Sequence, residues 1–243
     1  MQKAGLSMKN MELPFIREMF ESIAHRYDLL NRLLSLSQDI YWRRTMVSAI
    51  EAPDNGVLLD VACGTGDVAL EILRQKGRGV SIFGVDFSPN MLMSAKNKIK
   101  SIADNSNIYL LAGNAFNLPF REETFDAVTI AFGIRNICDK LLVLKVFYDS
   151  LKPGGMLLVL ELSTPGKGFL LSSYLFYFKK VLPLIGWFLS KNLKAYQYLP
   201  SSVVNFPDPK SFAAMIRSAG FKNVRWKSMT MGIANLHVGY KNG

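Results

Sequence analysis

LLDVACGTGD, residues 58–67, runs from an apolar β-type stretch into a turn carrying Gly64 and Gly66, and ends on Asp67 where a helical pattern begins. A glycine turn between strand and helix lets the backbone approach a ligand where a Cβ would collide, and it aims the first helical amides at that ligand. Read as Gly64-x-Gly66-x-x-Ala69, with Asp86 twenty residues after Gly66, the stretch also fits a dinucleotide fingerprint in which an acid holds a ribose diol. Charge separates the two readings. Asp60 and Asp67 flank the turn and oppose an incoming pyrophosphate, whereas a ligand bearing two positive groups beside one carboxylate suits them.

Around this turn, short β-rich runs alternate with helical segments: VLLDVA (57–62), SIFGVD (81–86), NIYLLAG (107–113), FDAVTIA (125–131) and MLLVLEL (156–162). Continuous apolar strands suit a parallel sheet covered on both faces, so the fold class is a doubly wound α/β domain. Ser88-Pro89 makes an N-cap and first-turn pair for a helix running to about Lys100, and LKPGG (151–155) stops the helix before the fifth strand. PDPKSFAAMIRSAG (207–220) reads as a helix ending at Gly220, and NVRWKSMT with ANLHVGY reads as a closing antiparallel pair, which brings the strands to seven. Residues 12–50 carry apolar positions at helical spacing, broken at Asn31 and Ser35 to Ser37, and form an N-terminal helical cap. The whole chain, 1–243, is then one domain: cap, core at 57–162, a basic aromatic insertion at 163–207, and a closing part at 208–243.

The chain carries 29 Lys and Arg against 19 Asp and Glu, a formal charge of +10, which favours an anionic partner. Part of that excess is focused. From Leu162 through Pro207 there is no acid, while Lys167, Lys179, Lys180, Lys191 and Lys194 lie among Phe169, Tyr174, Phe176, Tyr177, Phe178, Trp187 and Phe188. These aromatics alternate with Leu, Ile and Val rather than arginine, so a lipid tail and an anionic membrane surface fit better than nucleic acid. Lys179-Lys180, Pro183 and Gly186 break the stretch 169–194 too often for a membrane span. Two cysteines, Cys63 and Cys138, without metal-ligand spacing support neither a disulfide framework nor a metal site, and the first residues do not read as a signal peptide. The expected location is the cytoplasm, peripheral on the inner face of its membrane, and the composition is compatible with a homo-oligomer.

The doubly cationic ligand that suits Asp60 and Asp67 is S-adenosylmethionine. Asn114-Ala115, just after the third strand, offers a side-chain and a backbone amide to an adenine. With LKPGG, these features resemble the class I S-adenosylmethionine-dependent methyltransferases from about Val57 to Leu162. Further stretches narrow the resemblance: FESIAHRYDLLNRLLS (20–35), YWRR, AFGIRN (131–136) and YQYLPSSVVNFPDP (196–209). Together they are similar to the ubiquinone/menaquinone biosynthesis C-methyltransferase family over nearly the whole chain. The resemblance implies a Rossmann-like sheet and C-methylation of a polyprenylated quinol, in the menaquinone case demethylmenaquinol to menaquinol. A benzoquinol intermediate and another lipophilic acceptor are the alternatives.

By position the resemblance makes Thr65, Asp86, Asn114 and Ala115 cofactor contacts, with Asp60 beside them and Gly64 and Gly66 shaping the turn. Arg135, after the fourth strand, is the first choice for positioning the quinol or a catalytic water and for stabilising a developing phenolate. Asp39, His25 and Asp28 are the candidate bases, and Tyr27, Tyr196 and Tyr198 the candidate quinol contacts. His237 and Cys63 read as packing residues. Three departures from the family pattern stand out. Ser37-Gln38-Asp39 replaces a Gly-x-His, Ala62 replaces the first loop glycine, and Ala131 replaces a serine. The two alanines are expected to cost little, while Asp39 inherits no role from the family's histidine.

Overall fold

The computed structural model describes residues 14, 16–104, 106–165 and 193–243, with the backbone alone for 193–197. Lys167, Lys179, Lys180 and Lys191, most of the stretch 169–194, and the Tyr196 side chain lie outside the described residues.

Three helices precede the sheet: α1 (16–23), α2 (Tyr27–Leu34) and α3 (Gln38–Ser48), with a 3-10 turn at Ala24–Arg26. Strands and helices then alternate through β1 (Val57–Val61), α4 (Asp67–Lys76), β2 (Ser81–Asp86), α5 (Pro89–Ile102), β3 (Ile108–Ala112), β4 (Phe125–Ala131), α6 (Lys140–Ser150) and β5 (Leu151–Leu162). The helices α7 (Leu193–Val204) and α8 (Pro209–Ser218) lead to β6 (Lys222–Met229) and β7 (Ala234–Tyr240). One seven-stranded sheet results, in the order β3-β2-β1-β4-β5-β7-β6. The first five strands are parallel, and β7 runs antiparallel to both β5 and β6.

The apolar runs are continuous because both faces of the sheet are covered. In β5, Met156, Leu158 and Leu160 join the core under α3 and α4, built with Trp42, Met46 and Ile72. Leu157 and Val159 join the opposite core under α6 and α8, with Phe147, Phe212 and Ile216. Local signals set the helix ends as their chemistry dictates. The Ser88 hydroxyl caps α5 by accepting the Met91 amide, and the Asp208 carboxylate caps α8 by accepting the amides of Lys210 and Ser211.

One boundary differs from the reading of LKPGG as a helix stop that precedes the strand. The strand already begins at Leu151, which pairs with Phe125, and pairing resumes at Met156 against Ala127. The intervening residues form a bulge, with Gly154 at φ +77°. The stop signal and the strand start therefore occupy the same residues.

Cys63 packs where the sequence suggested. A Cβ added at Gly84 of β2 would stand 3.0 Å from the Cys63 sulfur and 2.9 Å from a Leu110 methyl. Both neighbours are held by sheet and loop, so Gly84→Ala is expected to destabilise the fold by about 1–3 kcal/mol. Urea unfolding checks this, and adding Cys63→Ala should give a combined loss smaller than the sum of the two single losses.

Candidate active site

The parallel strands split their direction of winding between β1 and β4, and at this switch point their carboxyl ends open a crevice. The crevice holds a cavity of about 600 Å³. Its sheet side is formed by Gly64, Asp86, Asn114 and Ala115, and Phe20 and Tyr27 of the helical cap close over it. Phe132 and Asn136, just beyond β4, complete the wall.

The loop from β1 to α4 is shaped from the backbone up. Ala62, Gly64 and Gly66 all adopt left-handed conformations, at φ +52°, +53° and +80°. The Cys63 amide donates to the Val85 carbonyl at 3.1 Å, and the Gly64 amide donates to Asp86 Oδ2 at 2.8 Å. The other Asp86 oxygen accepts the Ser88 amide at 2.9 Å. Burial pushes the Asp86 pKa above the usual carboxylate range, opposed by these amide bonds. Asp86 thus ties loop to strand while facing the cavity, and each oxygen keeps a second lone pair for a ligand hydroxyl. At Asn114 the side-chain oxygen accepts the Phe116 amide at 3.0 Å, which leaves its NH2 as the donor group.

Three residues expected at the ligand are not among those walling the cavity. The Thr65 hydroxyl donates to Asp28 Oδ1 at 2.5 Å, and Gly66 is the N-cap of α4, packed against Ala95 of α5. Asp60 is buried behind the loop on the face that α3 covers. It accepts the Thr129 hydroxyl at 2.9 Å, and its Oδ2 has no hydrogen-bond partner in the structure. These residues support the turn from behind.

The candidate bases are placed differently from the expectation. Asp39 is buried in a charge cluster with Arg32, Arg43 and Ser35, so it holds the cap together rather than facing the cavity. Asp28 is engaged by Thr65 and Lys98, and His25 is exposed on the 3-10 turn. Asp67 completes the cluster. Burial raises its pKa, but Arg43, Lys98 and Arg32 outweigh this and hold it down to about 2. Cap, loop and α5 are therefore joined by alternating charges.

Arg135 is likewise absent from the cavity wall. Its Nη1 lies 2.7 Å from Glu161 Oε1 and 2.5 Å from the Phe132 carbonyl, and its amide donates to Glu161 Oε2 at 3.1 Å. Burial works against its charge, but Glu161 raises its pKa above the ordinary arginine value. Of GIRN, Gly133 and Asn136 reach the cavity, and the Tyr198 hydroxyl donates to the Asn136 Oδ1 at 3.1 Å. Asn136 and Glu161 were missed. Asn136 stands inside a motif whose charged member drew attention, and Glu161 hides in the apolar run MLLVLEL, where a lone acid was itself the signal. Burial also depresses the His237 pKa to about 4, with Nε2 against the Pro209 carbonyl, in keeping with a packing role. Among the described residues, no group of His, Cys, Asp and Glu has the arrangement of a metal site.

The model of the ubiE/COQ5 methyltransferase family matches residues 7–241. The chain belongs to this family. A ubiquinone/menaquinone biosynthesis C-methyltransferase UbiE of Geotalea daltonii is 46% identical over 93% of this chain and 96% of its own length. A demethylmenaquinone methyltransferase of Thermus thermophilus is 47% identical over 91% and 99%, respectively. Among solved structures, a SAM-dependent methyltransferase of Aquifex aeolicus superposes with a TM-score of 0.65 at 15% identity, covering 90% of this chain and 97% of that one. The protein is a methyltransferase, with S-adenosylmethionine as its methyl donor. The donor set fits: a turn open enough for close backbone approach, and an acid at the cavity for a diol.

Two of the departures from the family pattern now have a backbone meaning. Ala62 and Ser37 stand where the family pattern has glycine, and both hold left-handed conformations, at φ +52° and +61°. Each carries a strain of about 1 kcal/mol that glycine would avoid, so Ala62 costs more than its size suggested.

Burial raises the Asp60 pKa to about 7, against the lowering effects of Thr129 and Arg43. Between its unfolded value near 4 and this folded value, the native state binds more protons than the unfolded one. This group's contribution therefore makes the fold less stable as pH rises from about 4 to 7. Urea unfolding at pH 5 and pH 8 should show a smaller loss on alkalinisation for Asp60→Asn than for the parent protein.

Proposed function

We propose that the protein methylates a ring carbon of a polyprenylated quinol, demethylmenaquinol giving menaquinol, using S-adenosylmethionine. The observation that carries this reading is the two-sided cavity. Gly64 and Asp86 offer a cofactor side, and Tyr27, Phe132 and Asn136 offer an apolar face with two hydrogen-bonding groups on the acceptor side. The names of the relatives, including demethylmenaquinone methyltransferases at 40–47% identity, favour the naphthoquinol. A benzoquinol is the second reading, because the UbiE relatives are named for both quinones.

When bound, the donor supplies an electrophilic methyl group on a sulfonium. The protein's own work is placement. Asp86 accepts the ribose hydroxyls, Asn114 and the Ala115 amide meet the adenine, and Asp60 supports the turn from behind. Asn136 and Tyr27 orient the quinol oxygens so that the ring carbon faces the methyl group. The ring carbon would take the methyl group as the methyl–sulfur bond breaks and its electron pair leaves on the neutral thioether. The quinol hydroxyl would release its proton to water as the carbon attacks, and the ring proton at that carbon would then return to the oxygen, which restores the aromatic quinol. Alignment of this kind supplies much of a methyl-transfer rate. Arg135 is a positioning residue here: fixed by Glu161 and the Phe132 carbonyl, it sets the turn that presents Asn136. The protein works at the inner face of the cytoplasmic membrane, where its acid-free, lysine-bearing region 163–207 meets anionic lipid.

Incubating the protein with labelled donor and each reduced quinone precursor tests the reading directly; labelling of neither ring removes it. Asp86→Ala should weaken donor binding by about 1.5–3 kcal/mol, the range for hydrogen bonds to a charged group, and unchanged affinity by calorimetry rejects its assignment. Arg135→Lys keeps a charge but loses the planar fork, so turnover should fall substantially while donor affinity stays within about a few-fold. Normal turnover in that variant would take Arg135 out of the positioning scheme.

A further inference from the structure

A primary carboxamide has nearly the same shape whichever way round it lies, but one end accepts a hydrogen bond and the other donates. Asn136 ends the 3-10 turn Ile134–Asn136 and walls the cavity, so the end it turns inward decides which ligand oxygen is received there. Its backbone is settled by the turn. The Asn136 amide donates to the Gly133 carbonyl at 3.1 Å, and the Ile137 amide to the Ile134 carbonyl at 3.1 Å.

Its side chain is settled from outside the turn. The Tyr198 hydroxyl donates to Asn136 Oδ1 at 3.1 Å, and the Asn136 NH2 donates to none of the described residues. Tyr198 is not among the residues that wall the cavity. It comes from α7 and is half-buried, packed against the cap cluster of Met19, Leu30 and Val203. Because it lies behind the wall, Oδ1 is drawn out of the cavity and the NH2 is left facing in.

Arg135 explains why the phenol donates. Besides burial and Glu161, the phenols of Tyr27 and Tyr198 act on the Arg135 charge, which Glu161 and the Phe132 carbonyl hold in place. A fixed cation near a phenol attracts the oxygen lone pairs and repels the hydroxyl proton, which turns instead to Asn136 Oδ1.

During methyl transfer the quinol oxygen gives its proton to water and gains negative charge as the ring carbon attacks. An NH2 group binds that oxygen more strongly as the charge develops, whereas an amide oxygen turned inward would repel it. We propose that Tyr198 is a positioning residue of the methyl transfer, which holds the Asn136 carboxamide with its NH2 toward the acceptor, so that the cavity selects a ring oxygen able to become an oxyanion. This rests on the reading of the acceptor as a quinol.

Steady-state turnover of a reduced, short-tailed naphthoquinol by Tyr198→Phe, Asn136→Ala and the double variant tests it. Tyr198→Phe keeps the packed ring and removes only the hydroxyl, so kcat should fall about tenfold while quinol KM and donor affinity stay within about twofold. In the Asn136→Ala background the same change should cost nothing further, since no carboxamide is left to hold. Parent kcat in Tyr198→Phe overturns the proposal. So does a loss that multiplies with that of Asn136→Ala, which would give Tyr198 a role of its own. Should Tyr198→Phe fail to fold, Asn136→Asp decides instead: it keeps the acceptor for Tyr198 but has no NH2. It should turn over as slowly as Asn136→Ala, and turnover near the parent's overturns the proposal. A parent protein that methylates no quinol removes the proposed reaction and this role with it, whereas an active parent matched by Tyr198→Phe removes the role alone.

Discussion

Strand β1 ends at Val61 and α4 begins at Asp67, so the chain must reverse within residues 62–66. It does so by placing three residues in left-handed conformations and clipping the turn onto β2 through the Cys63 and Gly64 amides. The rest of the site inherits its geometry from this reversal. Asp86 is fixed because its carboxylate receives the Gly64 amide, and the backbone lies open to a ligand because Gly64 has no Cβ to block it. Even Gly84, a strand residue, is explained by the need to seat Cys63.

The opposite wall of the cavity is secured by a different kind of force. Asp28, Arg32, Asp39, Arg43, Asp67 and Lys98 alternate in sign across the cap, the loop and α5. Taking such groups out of water is costly, and the cost is recovered only when each charge sits at its partner. The cap is thereby held in one position relative to the glycine turn. The Thr65–Asp28 contact makes the cofactor loop itself a member of this linkage. Apolar packing adds a second anchor, where Leu30 and Met19 meet Val203 of α7.

The sheet was legible because its strands are buried on both faces, and burial on both faces leaves largely apolar, non-alternating runs such as VLLDVA and FDAVTIA. The cap of α5 was legible for a local reason: Ser88-Pro89 carries its own hydrogen-bonding instructions, and Asp208-Pro209 carries the same kind at α8. The cavity residues Gly64, Asp86, Asn114 and Ala115 follow from their places at strand ends. Side-chain partnership was not legible. Asp39, Asp28 and Thr65 are polar residues near a site in sequence, and nothing local says that they satisfy one another across 37 residues rather than face a ligand. Arg135 shows the same limit, since its partner Glu161 comes from another strand. Charge type can be read along a chain, but the neutralising partner is set by the topology.

The closing strands carry a consequence for how the chain assembles. Strand β6 is made before β7 yet lies outside it in the sheet, and β7 fills the place beside β5. Until β7 arrives, β6 has no neighbour to pair with, and the edge of β5 stays open with its apolar residues on both faces. Strand β6 reaches the sheet only through β7, with which it forms a hairpin that turns at 230–233. The turn that sets this hairpin is the one that bonds to α3 through Thr230 and Trp42, so the last two strands and the helical cap hold each other in place.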